Sequence, residues 1–120
     1  MKWDLDDDRS IWPQLKDIIT RGIITGVYPP GSGFPTVREL AQEAQVNRNT
    51  MQRAMAELET EGLLITNRTA GRTVTTDESL IEEKRNQLAE ICVRQFYTEM
   101  KALGFTALEA GNLVLSKEDD

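Results

Sequence analysis

A chain of 120 residues with 39% hydrophobic and 28% charged residues has room for one compact unit or two very small ones, and the composition is globular. It has no histidine and a single cysteine, which argues against His-based acid–base catalysis and most zinc or transition-metal sites, and excludes an internal disulfide; neither an enzyme nor a cofactor is expected. The net charge of −6 argues at first against a nucleic-acid partner.

By segment the charge divides differently: −3 over residues 1–8, +2 over 9–35, zero over 36–76 and −5 over 77–120. The acid sits at the two ends, and the middle balances five arginines against five glutamates. The acidic start is unlike a secretory signal, and no apolar run approaches the roughly 20 residues a membrane helix needs. A cytoplasmic location without membrane contact is therefore expected, and the lone cysteine fits a reducing compartment.

In chain order, residues 1–9 read as a solvated acidic lead-in; Asp6-Asp7-Asp8 lacks metal-ligand spacing. Ile11, Leu15, Ile18, Ile19 and Ile23 recur at three- and four-residue spacing and predict a helix over 11–25, capped by Asp8 or Ser10 and ended by Gly26. Residues 28–35, with three prolines and two glycines, are turn chemistry. Thr36-Val37-Arg38-Glu39 is a capping box opening a short helix whose buried stripe is Val37, Leu40, Ala41 and Ala44. A tight turn at Gln45-Val46 leads to Asn47, which can cap a third helix running to about Glu61, with Gly62 just past its end. Strands over 63–66 and 73–76 then make a hairpin with a polar, basic tip. A long helix over 80–103, a stop at Gly104 and a short helix over 106–116 complete the chain.

The third helix has two unlike faces. At about 100° per residue, with Arg48 at zero, Gln52, Asn49 and Arg53 fall near 40°, 100° and 140°, while Met51, Ala54, Met55 and Leu58 cluster between about 240° and 340°. The polar side, free of acids in its leading turns, holds the residue types that read base edges in a major groove: Arg for guanine, Asn or Gln for adenine. An isolated amphipathic helix commonly has a merely solvated polar face. The preceding tight turn and following basic hairpin tip the balance toward recognition. Arg38 reads equally well as a phosphate or base contact or as the partner of Glu43, and Arg72 as a minor-groove contact or phosphate clamp or as a solvated turn residue. Cys92 reads as ordinary core.

The chain resembles the GntR family of bacterial transcription regulators, and within it the short YtrA-type branch. The resemblance rests on Ile11-Trp12-Pro13-Gln14-Leu15, Gly26–Gly31, Pro35-Thr36-Val37-Arg38-Glu39-Leu40-Ala41, Val46–Ala54, and Leu58-Glu59 with Glu61-Gly62-Leu63. It spans about residues 10–76. It implies DNA contacts from Thr36, Arg38, Asn47, Arg48, Asn49, Thr50, Gln52, Arg53 and the wing at Gly71 and Arg72. Two departures stand out: many relatives have Arg at the place of Gln52, and Ala70-Gly71-Arg72-Thr73-Val74 replaces the usual Gly-x-Gly-Thr-Phe-Val.

The expected architecture is mainly α with a small β-hairpin: lead-in 1–9, winged helix-turn-helix 10–76, and a two-helix dimerisation segment 77–120. That last segment is too short to enclose a metabolite, so any small-molecule effector stays unidentified. Its apolar positions Leu88, Ile91, Cys92, Phe96, Met100 and Leu103 spread too widely for one short helix to cover, so a second copy is the expected cover, the alternative being that the long helix packs back on its own winged domain. The sequence thus reads as a homodimeric repressor binding a near-palindromic double-stranded operator through helix 47–61 and wing 67–72. The alternative is a winged-helix module that binds protein, which salt dependence would distinguish.

Overall fold

The computed structural model describes residues 2–117, with elements in the order α1 (Ile11–Ile24), α2 (Val37–Ala44), α3 (Arg48–Thr60), β1 (Leu64–Asn67), β2 (Gly71–Val74), α4 (Glu78–Ala102) and α5 (Ala107–Leu115). They form two units, one running to Arg85 and one starting at Asn86, with α4 contributing to both.

The first unit is built on α3, against which α1, α2 and β1 all pack. Its apolar stripe of Met51, Ala54, Met55 and Leu58 is fully buried and meets Leu15, Ile19 and Ile23 of α1 and Leu40 of α2 in one core, closed by Leu63, Leu64 and Val74. Thr36 and Glu39 form the capping box of α2: the Thr36 hydroxyl accepts from the Glu39 amide at 3.1 Å and the Glu39 carboxylate from the Thr36 amide at 2.9 Å. Gln45 turns the chain in a left-handed conformation (φ 59°), and the Asn47 side chain caps α3 by accepting from the Asn49 amide at 2.7 Å. Glu61 and then Gly62, at φ 84°, end α3.

Several features depart from expectation. The described part of the lead-in is folded, with Trp3 and Leu5 packed against the core. The Gln14 side chain clasps it, accepting from the Asp6 amide at 2.7 Å and donating to the Asp6 and Ser10 carbonyls. Ser10 precedes α1 without a side-chain cap. Two alternating apolar side chains gain enough by leaving water to hold an otherwise acidic arm in place.

The hairpin is tighter than predicted. Leu64 pairs with Val74 and Asn67 with Gly71, so the tip is only residues 68–70, closed by Gly71 at φ 70°. The turn-rich segment also pairs: the Gly31 amide donates to the Val74 carbonyl at 2.9 Å and the Phe34 amide to Arg72 at 2.8 Å, giving β2 a second neighbour. Prolines 30 and 35 lack an N–H, but the residues between them keep theirs for an edge pairing.

Helix α4 starts at Glu78, two residues before the predicted Leu80, because the Asp77 carboxylate accepts from the Leu80 amide at 3.1 Å and caps it. Leu80 and Ile81 lie against the core of the first unit.

In the second unit the Thr106–Glu109 capping box forms as predicted. Among the described residues Ala110 is its only buried hydrophobic, and α4 buries no residue at all. Cys92, expected in the core, is exposed. Helix α5 has nine residues, about 13 Å of length, and meets α4 near Tyr97, where a Cβ on Gly111 would sit 3.7 Å from the phenol oxygen. So short a helix leaves Ile91 and Val93 of α4 exposed.

Candidate nucleic-acid interface

The interface begins with the division of α3. Arg48, Asn49, Gln52 and Arg53 are exposed and Thr50 is half-buried, while the residues between them are locked in the core. A helix so anchored holds its outward side chains at fixed angular positions. Asn47 is exposed, but its carboxamide oxygen is occupied as the cap, which leaves the NH₂ group to donate outward. Thr36 is more fully committed: its hydroxyl oxygen accepts from the Glu39 amide within the α2 cap, and the hydroxyl also bears on the Glu39 carboxyl.

The middle segment balances to zero in sum but not in placement. Four of its five glutamates are bonded to partners within the chain, Glu39 and Glu43 at exposed positions and Glu59 and Glu61 half-buried. Glu39 belongs to the α2 cap, where the Thr36 amide and then its hydroxyl hold the carboxyl below the usual range. Glu43 accepts from the Trp3 indole at 2.6 Å, so the pairing of Arg38 with Glu43 does not form. Glu59 takes Arg72 and the Thr66 hydroxyl, and Glu61 takes Lys16 of α1 and Lys84 of α4. Burial alone would raise both carboxyls, but the hydrogen bonds and positive charge of these partners outweigh it and hold them low. Among the described residues, Arg38, Arg48, Arg53 and Arg68 form no ion pair, and all four are exposed.

Arg72 is therefore not the free cation expected at the hairpin tip. Its Nε donates to Glu59 at 2.8 Å and its side chain is only 22% exposed. The register explains this: Thr66 lies opposite Arg72, so the two share a face and both turn to Glu59 on α3. Arg72 fastens the wing to the helix. The cation left at the tip is Arg68, within the predicted wing but not singled out, because the six-residue loop read from the sequence hid which residues the turn would present. Gly71 sits where the strand leaves the turn. The wing and the start of α2 line one cleft through Gly71, Ala70, Thr66, Pro35 and Thr36.

One contact has no counterpart in the sequence reading. The Arg53 guanidinium lies over the Trp12 ring, 4.3 Å from its centroid, linking the second turn of α3 to the first turn of α1.

Residues 13–74 match the model of the bacterial regulatory proteins of the gntR family. The chain belongs to the GntR family. Within it, the chain is similar to the helix-turn-helix regulator YhcF of Bacillus subtilis, 32% identical over 101 residues that make up 84% of each chain. It is also similar to the transcriptional repressor YtrA of the same organism, 35% identical over 70% of this chain and 68% of YtrA. Among solved structures, a GntR-family regulator from Listeria monocytogenes superimposes with a TM-score of 0.85 at 36% identity, covering 95% of this chain and all of that one. The DNA-binding domain of AraR in complex with its operator ORX1 matches 62% of this chain and 92% of that one, with a TM-score of 0.52 at 29% identity. This GntR-family chain thus carries the winged helix-turn-helix of a family of transcription regulators, and none of its described helices is long and apolar enough to cross a membrane.

Proposed function

We propose that this chain is a homodimeric, sequence-specific repressor that reads a near-palindromic operator through α3 and the wing. The observation that carries the reading is the division of α3, where the core face is buried at Met51, Ala54, Met55 and Leu58 and the leading polar face is free at Arg48, Asn49 and Gln52. Arg48 is suited to a guanine edge and Asn49 and Gln52 to adenine. Arg38, Thr36, Asn47, Thr50 and the wing cation Arg68 would hold the backbone on either side. Repression and operator binding are supported by the likeness to YtrA, named a repressor, and to the operator-bound domain of AraR.

The homodimer rests on the second unit. Ile91 is 45% exposed, Leu103 72%, Leu108 75% and Leu115 83%, far more apolar surface than one buried alanine can organise. A second copy laid on the same surface covers Leu88, Ile91, Cys92, Phe96, Met100 and Leu103 together with Leu108 and Leu115. Two α3 helices would then meet half-sites about 34 Å apart or a multiple of it.

Selection from a random duplex pool with the purified protein tests the reading. The expected yield is an inverted repeat whose affinity falls steeply with salt; recovery of no enriched sequence, or salt-independent capture of protein instead, would overturn it.

A further inference from the structure

We propose that Trp12 is a positioning residue for DNA binding: its indole face holds the Arg53 guanidinium so that the in-plane N–H groups meet a backbone phosphate. The inference rests on the DNA-binding reading above. It starts from the contact itself, 4.3 Å from guanidinium carbon to ring centroid, on an arginine that is exposed and, among the described residues, forms no ion pair. Contact with one ring covers one side of a guanidinium and leaves others of its five N–H donors available. An arginine held over a ring is therefore pre-set, giving up less rotamer freedom on binding than one projecting into solvent.

Phosphate, rather than a base, follows from position. Arg53 lies about 140° around α3 from Arg48, beyond Asn49 and at the flank turned to α1, and the ring that holds it belongs to α1. Side chains at the flank of a helix in the major groove reach the groove wall, which is the sugar–phosphate backbone. Trp12 is itself half-buried and packed against the core, so the platform is fixed to the same body as α3.

The test is a double-mutant cycle on the full chain, with Trp12→Leu, Trp12→Tyr, Arg53→Gln and Trp12→Leu/Arg53→Gln. Binding is measured to a duplex selected by the wild type and to a scrambled duplex across a salt series. Arg53→Gln is expected to weaken both duplexes alike and to lower the slope of log affinity against log salt by about one. Trp12→Leu is expected to weaken binding about two- to fivefold, Trp12→Tyr to restore it, and the double variant to match Arg53→Gln alone. Additive losses in the double variant, or an Arg53→Gln effect confined to the selected sequence, would overturn the inference while leaving DNA binding in place. A wild type that binds no duplex would remove the reading beneath it. Thermal melts run alongside separate loss of the platform from loss of the fold, and Arg53→Gln, at an exposed site, keeps the phosphate assignment testable if Trp12→Leu unfolds.

Discussion

The claim that α3 divides its work between core and readout predicts a double dissociation between Arg48→Ala and Met55→Ala. Met55 is completely buried, one turn from Met51 and Leu58, and its truncation leaves a cavity beneath the helix. Met→Ala at such sites costs about 2–5 kcal/mol, a large share of the roughly 5–15 kcal/mol that holds a domain together. In a unit of this size each kcal/mol moves the midpoint by about 4–8 °C, so a fall of roughly 10 °C or more is expected. Arg48 is exposed, without an ion pair among the described residues, on the first residue of α3. Its loss leaves the midpoint within about 4 °C, since surface substitutions of this kind stay within about 0.5 kcal/mol. Operator binding by Arg48→Ala should weaken by about 1–3 kcal/mol, roughly 5- to 150-fold, with relaxed preference at one base position. Calorimetry and fluorescence anisotropy on a selected duplex read the two axes. If Arg48→Ala lowers the melting point as far as Met55→Ala, or leaves affinity and base preference untouched, the division of α3 is refuted.

Leu103→Asp places a charge where a single chain is 72% exposed, so it should leave the chain's own fold intact and convert dimers to monomers in sedimentation. The carboxyls of Glu59 and Glu61 are held below their ordinary value of 4.5, so their stabilisation is complete above that pH and is lost as pH falls through the lower folded-state values. Glu61→Gln should therefore melt lower than wild type at pH 7, with the gap closing toward pH 3; a constant gap would deny the ionic role. Gly71→Ala meets no atom within 4 Å but must adopt φ 70°, so a loss of about 1 kcal/mol from backbone strain alone is expected in the melt.

How much of this was legible in the sequence depends on the range of the interaction. The boundaries of α2, α3 and α5 follow from caps three residues long and stripes of period 3.6, and the structure keeps them within one or two residues. Asp77 shows the limit of that method: its side chain pulls the start of α4 earlier than the first apolar residue suggests. In the hairpin, Thr73 and Val74 belong to both the expected second strand (73–76) and the observed one (71–74), so composition could not fix where the strand begins. The positive φ of Gly71 did, and with it the fate of Arg72.

The harder cases are contacts between distant residues with no periodic signal. Glu59 and Arg72 are thirteen positions apart, Trp3 and Glu43 forty, and Trp12 and Arg53 lie on different helices. Each changes the reading of a charge that, taken singly, is neutral evidence. Four of the middle segment's five glutamates are bonded to partners within the chain, while four of its five arginines form no ion pair among the described residues. A segment of zero net charge can then present a cationic face, because a phosphate responds to charges within about a Debye length of it and not to the sum over the chain. The net charge of −6 is then compatible with a nucleic-acid partner. Of that charge, −5 belongs to residues 77–120, outside the helix-turn-helix and wing whose arginines would meet the duplex.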